Sequence, residues 1–191
     1  MTAGIDLDTQ LMIRVQRDDT SSFSELLNRN RNLVVNYLSR MVVNRAIAEE
    51  LAQDVFIRVY RSRRSYEPTA KFSTWLYRIT TNVALNHFRD EKRSQNQISL
   101  DVQDAVQVRR ETQDRALLIE DRLVREVVAR RIRQAIRALP PKQRAAVTMH
   151  KYDEMDYAQI ARVLGCTPSA VKALMFRAYE TLRLRLRNLQ A

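Results

Sequence analysis

The 191-residue sequence is poor in the residues that interrupt helices and in those that build covalent cross-links. It contains two glycines, four prolines and a single cysteine, Cys166. So few helix-breaking residues favour an all-α protein. One cysteine excludes an internal disulfide framework and favours a reducing compartment. A chain of this length has room for one or two domains with cores of their own.

Several kinds of functional sequence are also missing. There is no glycine-rich phosphate loop and no cysteine and histidine cluster with zinc-ligand spacing, and His87 and His150 stand alone. No apolar run is long enough to cross a bilayer, and the N-terminus lacks the charged and apolar regions of a signal peptide. We therefore expect a cytoplasmic protein that uses no cofactor or metal and is not an enzyme.

Charge, by contrast, is abundant and unevenly distributed. The net charge is +11, and residues 127–191 carry 13 basic and 4 acidic side chains. Residues 1–93 carry 15 basic and 11 acidic side chains, and residues 94–126 carry 5 basic and 7 acidic ones. The basic excess of the C-terminal third indicates a polyanionic partner, such as nucleic acid.

The most informative stretch lies at residues 157–177. Ile160, Ala161 and Leu164 give a short helix an apolar face. Gly165 follows at the point where a sharp turn needs a residue that tolerates positive φ. An ordinary helical hairpin would also need a glycine there.

A second helix is predicted directly after this turn. Thr167 can cap it, and Pro168 takes its first position, where a missing N–H costs nothing. Val171, Leu174 and Met175 turn one face inward against the first helix. The outer face is left with Lys172, Phe176 and Arg177. This arrangement is typical of a helix-turn-helix that places its second helix in a DNA major groove.

Three amphipathic segments precede residue 92, and we expect them to pack as one bundle. Their apolar stripes run over residues 23–41, with a break around Asn28–Asn32, then over residues 48–59 and 72–88. Pro68 separates the second from the third.

The apolar spacing typical of a helix is lost after the third segment and resumes later in the sequence. From about Ser94 to Arg115 the sequence predicts an extended or disordered linker. Helical spacing resumes at Leu117 and is stopped by Pro140–Pro141. A further helix is expected over Arg144–Lys151, and Asp156 can cap the first helix of the helix-turn-helix.

Aromatic, basic and amide side chains alternate along the third amphipathic segment. Rings that stack on unpaired bases and cations that bind the backbone are what single-stranded nucleic acid needs. The alternative is that Phe72, Trp75 and Ile79 fill the core and the polar residues form a solvated face. The second segment carries an acidic strip around Gln53 and Asp54, which by itself indicates no more than a solvated face.

Taken together, these segments resemble a known family over nearly the whole chain. The motifs at residues 50–60, 72–82, 139–144 and 157–161 occur in one order, followed by the predicted second helix of the helix-turn-helix. This set resembles the extracytoplasmic-function (ECF) sigma factors, the minimal class of the bacterial sigma-70 family.

The resemblance implies three binding surfaces. One docks on the clamp of core RNA polymerase and comprises Glu50, Gln53, Asp54, Phe56 and Ile57. The second melts and holds the non-template strand of the −10 promoter element, and Asn82 is the residue that the match to the family's motif favours most for a base contact. This surface comprises Phe72, Ser73, Trp75, Arg78, Asn82, Asn86, Arg89, Lys92 and Arg93. The third reads the −35 element in the major groove and comprises Thr167, Ser169, Lys172, Ala173, Phe176 and Arg177.

The resemblance also implies an organisation and a set of partners. We expect two helical domains joined by a flexible linker: a region 2-like bundle over residues 1–93, a linker over 94–116 and a region 4-like helix-turn-helix domain over 117–191. Core RNA polymerase, promoter DNA and an anti-sigma factor would be the partners.

Two other functions compete with this interpretation. A conventional helix-turn-helix regulator would bind a duplex operator unaided, but it does not explain the aromatic and basic third segment. A helical adaptor that binds only protein predicts no salt-sensitive affinity for DNA, contrary to the basic C-terminal third.

Overall fold

The computed structural model describes residues 6–42, 44–98 and 120–187, and these form eight α-helices without any β-strand. A short 3-10 helix, Arg63–Ser65, follows the third α-helix. The α-helices are α1 (Leu7–Val15), α2 (Thr20–Met41), α3 (Arg45–Arg61), α4 (Phe72–Ile98), α5 (Glu120–Arg137), α6 (Pro141–Tyr152), α7 (Tyr157–Leu164) and α8 (Pro168–Arg185). The predicted all-α class is confirmed.

Side-chain caps fix where helices begin. The carboxylate of Asp19 accepts hydrogen bonds from the backbone N–H groups of Ser21 and Ser22 at 3.0 and 3.1 Å, and thus starts α2. Bonds from the hydroxyls and N–H groups of these two serines lower the pKa of Asp19 to about 2. Asn44 caps α3 in the same way, since its side chain accepts from the N–H of Ala46.

The expected break around Asn28–Asn32 is wrong, because α2 is continuous from Thr20 to Met41. Asn30 is only 4% exposed, and its amide donates to the carbonyl of Leu26 at 3.0 Å and to Asp8 of α1 at 3.2 Å. The side chain therefore has partners inside the bundle and does not compete with the backbone for helical bonds.

Two other boundaries differ from the sequence prediction. Helix α6 begins at Pro141 rather than near Arg144, because proline is favourable at the first position of a helix. Helix α4 continues to Ile98, so the first residues of the predicted linker are helical. The rest of the linker prediction and the restart at Leu117 fall on residues 99–119, outside the described residues.

Each half of the chain packs around large apolar side chains. In the N-terminal half, α1 to α4, helix α2 packs against α1 and α3, and α3 packs against α4. In the C-terminal half, α5 to α8, helices α6, α7 and α8 pack against one another. Fully buried members of these cores include Met12, Leu38, Leu76, Leu139, Met149, Ile160 and Met175.

The two halves are also in direct contact. Helix α7 lies against α4, and α6 lies against both α2 and α4. The buried apolar residues of the two halves form one continuous cluster. The helix-turn-helix is therefore seated on the same helix that carries the alternating aromatic and basic residues.

Candidate nucleic-acid interface

The turn between α7 and α8 has the geometry that its sequence predicts. Gly165 adopts φ 64° and ψ 41°, in the left-handed region, and ends α7. Asp156 and Gln159 form a reciprocal capping box at the start of α7, with bonds of 2.7 and 2.9 Å. The hydroxyl of Thr167 accepts from the N–H of Ala170 at 3.2 Å and starts α8. These local bonds hold the second helix at a fixed angle to the first.

Helix α8 has a buried and an exposed face. Val171, Met175 and Ala178 are at most 1% exposed and pack inside the C-terminal half. The opposite face is open to solvent and displays Ser169, Lys172, Ala173, Phe176 and Arg177. Phe176 is 67% exposed, which is unusual for a phenylalanine. Five of the six side chains predicted for the −35 element thus share one surface, while the sixth, Thr167, is exposed at the helix start with its hydroxyl engaged as a cap.

Helix α4 carries a second polar stripe. Arg78, Asn82, Asn86, Arg89 and Arg93 follow one another at spacings of three and four residues, so they lie along one side of the helix. All but the half-buried Asn86 are exposed, as is the neighbouring Lys92. The guanidinium of Arg89 lies 3.8 Å from Asp90, but both side chains are more than 60% exposed, so this pair is weak. The cations of the stripe therefore remain accessible to an anionic strand.

Of the two aromatic residues Phe72 and Trp75 at the start of α4, the first belongs to the core and the second is partly accessible. Phe72 is 0% exposed, and its ring lies 6.0 Å from that of Tyr66. In this conformation the enclosed ring cannot reach a base, so the DNA contact expected of Phe72 stays a prediction that requires the ring to become exposed. Trp75 is half-buried between Tyr66, at 5.0 Å between ring centres, and Phe72, at 5.8 Å. Trp75 precedes Arg78 by three residues and so lies in line with the polar stripe, whereas half-buried Ser73 lies on the other side of the helix.

The acidic strip of α3 is exposed beside an apolar groove. Glu50, Gln53 and Asp54 are exposed, and Ile57 is 47% exposed. Phe56 is only 8% exposed and serves mainly as the wall of the groove. The groove runs between α2 and α3, and its apolar lining is Phe23, Leu27, Val35, Ala52, Phe56, Ile57 and Tyr60.

Sequence reasoning missed the contribution of α2 to this groove. Phe23, Leu27 and Val35 are only partly buried although they belong to the apolar stripe of α2. Their spacing follows the helical period, so the sequence alone assigns them to the core. What leaves them accessible is the position of α3, which covers one side of the stripe and leaves the other open.

Two negative observations concern the described residues. No group of three or more histidine, cysteine, aspartate or glutamate side chains among them could hold a metal ion. None of the helices described is long and apolar enough to cross a membrane.

Comparison with known proteins assigns both halves. Residues 26–94 match Sigma-70 region 2, and residues 129–182 match Sigma-70 region 4. The RNA polymerase sigma-H factor of Pseudomonas aeruginosa is 30% identical over 176 residues, or 92% of this chain and 91% of that protein. The ECF RNA polymerase sigma factor SigW of Bacillus subtilis is 31% identical over 92% of this chain and 95% of its own. The chain belongs to the ECF sigma factors of the sigma-70 family.

Solved structures agree with this ECF sigma factor in fold. CnrH, in complex with the cytosolic domain of CnrY, superposes with a TM-score of 0.68 at 19% identity and covers 96% of this chain. RpoE of Bartonella quintana, in complex with the anti-sigma factor NepR, gives a TM-score of 0.63 at 20% identity over 86% of the chain. As a sigma factor, the protein acts in transcription initiation.

Proposed function

We propose that this sigma factor reads the −35 element with the exposed face of α8. A helix of this size fits the major groove, and its N-terminal residues approach the base edges. Ser169 and Ala173 are small enough to let the helix come close. Lys172 and Arg177 supply cations for bases or phosphates, since both are exposed and neither is part of an ion pair in the described residues.

The polar stripe of α4 is proposed to hold the melted −10 strand. Arg89, Lys92 and Arg93 provide the positive charge that a phosphate backbone requires, and Asn82 can donate and accept at a base edge. Trp75 offers a partly accessible aromatic ring at the end of the stripe. Unstacking a base costs on the order of a few kcal/mol, and stacking on an aromatic ring returns about 1–3 kcal/mol. The chain therefore supplies binding energy for strand opening and performs no covalent chemistry.

Core polymerase is proposed to dock on α3 and the adjoining groove. Glu50, Gln53 and Asp54 present an acidic and polar rim, and the apolar groove lies directly beside it. This combination of an apolar centre and a charged rim is common in protein interfaces. Nucleotidyl transfer would remain with the polymerase.

The wider organisation follows from these three surfaces. We propose a promoter-melting domain over residues 1–98, since α4 continues to Ile98, followed by a linker up to residue 116 and a −35-reading domain over 117–191. The protein would work in the cytoplasm, where polymerase and DNA are found. Because the RpoE of Bartonella quintana was solved in complex with the anti-sigma factor NepR, an anti-sigma factor is proposed as a partner of this chain as well.

One observation carries the proposal: a single chain displays both a helix-turn-helix with an open second helix and a separate cationic stripe beginning at a half-buried tryptophan. A duplex-binding regulator needs only the first. Run-off transcription with purified core polymerase, using the DNA upstream of the gene as template, tests the difference. We expect a discrete transcript only when the protein is added.

A polymerase-binding control completes the experiment. Size-exclusion chromatography of core polymerase with the protein should show co-elution. A chain that binds the upstream duplex alone and never associates with core polymerase would be a conventional regulator. Co-elution without a transcript would place the promoter outside the chosen template.

A further inference from the structure

A buried arginine joins the two halves. Arg144 of α6 is 8% exposed and donates one hydrogen bond to the carbonyl of Met41, the last residue of α2. A second bond, of 3.2 Å, reaches the carbonyl of Leu139 within its own half. The guanidinium also lies 4.8 Å above the ring of Phe88 on α4. Because helix C-termini carry unpaired carbonyls and partial negative charge, a cation at the end of α2 is stabilised there.

A second set of contacts joins the C-terminal end of α2 to the C-terminal end of α6. Arg40 of α2 stacks over the ring of Tyr152 of α6 at 4.6 Å and lies 3.7 Å from the carboxylate of Asp153. Asp153 is largely buried, and one of its oxygens has no hydrogen-bond partner among the described residues. Burial raises its pKa, against the opposing effects of the Tyr77 hydroxyl and Arg40. Arg40 and Asp153 thus join the ends of α2 and α6, and the hydroxyl of Tyr77 on α4 also hydrogen-bonds to the Asp153 carboxylate.

The contact limits what the chain can bind at one time. Elements at −35 and −10 lie about 25 base pairs apart by their own designations, or on the order of 80 Å along B-form DNA. Here α7 touches α4, and α8 packs directly on α7. With helix diameters of about 10–12 Å, the α8 surface and the α4 stripe lie within a few helix widths of each other. The halves must separate before both elements can be bound.

We propose that Arg144 and Arg40 form a latch that holds the free sigma factor closed, and that the latch must open before the chain can span a promoter. Its consequence for promoters rests on the function proposed above, whereas the closed state itself does not. Opening exposes the Met41 carbonyl to water, so the contact is lost without leaving a buried unpaired group. In the closed state, any side chain at residue 144 that cannot donate would leave that carbonyl unpaired.

Variants at these positions should shift the equilibrium between the closed and the open form. Arg144→Met keeps the length of the stem and removes the donors, which should shift the equilibrium toward the open form by about tenfold or more. Arg40→Ala removes the stacking on Tyr152 and the ion pair, and should shift it in the same direction. Arg45→Ala is the matched control, since Arg45 is exposed and its ion pair is with Glu49 of its own helix.

Energy transfer between two dyes on the full-length chain measures closure directly. With Cys166→Ser as background, dyes are attached at Asn28→Cys and Glu180→Cys, two exposed positions on α2 and α8 outside the latch and outside the proposed binding residues. We expect high transfer for the unmodified latch and for Arg45→Ala, and reduced transfer for Arg40→Ala and Arg144→Met. Saturating core polymerase should lower transfer in the unmodified protein.

Circular dichroism on each variant distinguishes opening from unfolding. If Arg144→Met fails to fold, Arg40→Ala alone tests the latch. The Arg40 side chain is 36% exposed and lies at the edge of the contact, so its removal should leave the fold intact. Unchanged transfer in the folded latch variants would overturn the proposal. Since the free chain is measured without DNA or polymerase, this result is independent of whether run-off transcription succeeds.

Discussion

The guanidinium of Arg144 bonds to the backbone carbonyl of Met41, 103 residues earlier in the chain. This contact links α6, in the C-terminal half, to the end of α2, in the N-terminal half. It shows that the two halves of this sigma factor are tied by polar contacts between helix ends as well as by apolar packing. Contacts of this kind determine which surfaces of the protein are available at the same time.

Gly165 is required for its backbone conformation and not for space. A Cβ atom there would meet nothing within 4 Å, yet φ is +64°. We expect Gly165→Ala to lower the free energy of unfolding by about 1–2 kcal/mol, because alanine is strained in the left-handed region. Gly165→Asn should cost less, since asparagine tolerates this region. Urea unfolding of the three proteins measures the difference, and equal stability of all three would contradict the turn geometry.

Asp54 is exposed in the middle of the proposed polymerase surface. Asp54→Arg should weaken binding to core polymerase at least tenfold, because it places a positive charge where the proposed surface presents a negative charge to the polymerase. Fluorescence anisotropy of the labelled protein, titrated with core polymerase, measures the affinity.

The control for this charge reversal is Glu25→Arg on α2. Glu25 is exposed and does not line the groove, so this variant changes the net charge equally. Similar losses in both variants would indicate a general electrostatic effect, and unchanged affinity of a folded Asp54→Arg protein would exclude the α3 surface.

Lys172 and Arg177 should contribute to −35 binding and not to polymerase binding. If either side chain contacts phosphate, its replacement by alanine should reduce the salt dependence of duplex binding by about one unit of slope. A base contact should instead cost about 1–3 kcal/mol and relax the sequence preference at one position. Titrations of a −35 duplex at several salt concentrations separate the two. Wild-type slopes and affinities in both variants would remove these residues from the DNA surface.

Phe176 places an apolar ring on a surface proposed to enter the major groove. The apolar group that a base presents there is the methyl group of thymine. We therefore expect Phe176→Ala to weaken −35 binding, and replacement of the contacted thymine by uracil to weaken it similarly. The two changes together should cost no more than either alone, since they remove the same contact. Fully additive losses would show that the ring touches something else.

The helix-turn-helix could be predicted from sequence almost residue by residue, because its determinants are local. The glycine turn and the caps at Asp156 and Thr167 depend on side chains within four residues of the groups they serve. Contacts between distant segments could not be predicted. The sequence predicts a break in the helix at Asn30, but Asp8 and Leu26 accept hydrogen bonds from its amide inside a continuous helix.

The candidate surfaces likewise contain features that the sequence predicts and features that it does not. The exposed face of α8 follows from helical periodicity, and so does the stripe on α4. Phe72 could not be assigned from its position in the motif, because its burial depends on Tyr66 and Trp75 packing around it. The roles of Arg144 and Asp153 depend on how α6 meets α2, which no spacing in the sequence encodes.

Reactivity of unpaired thymines with permanganate measures the central activity most directly. The upstream DNA of the gene, end-labelled, is treated with core polymerase alone, with the protein alone and with both. The proposed function predicts reactive thymines around −10 only when both are present, and their loss with Asn82→Ala and Trp75→Ala in folded protein. If the promoter directs a transcript but the same thymines react equally with and without the protein, the chain does not open the −10 element.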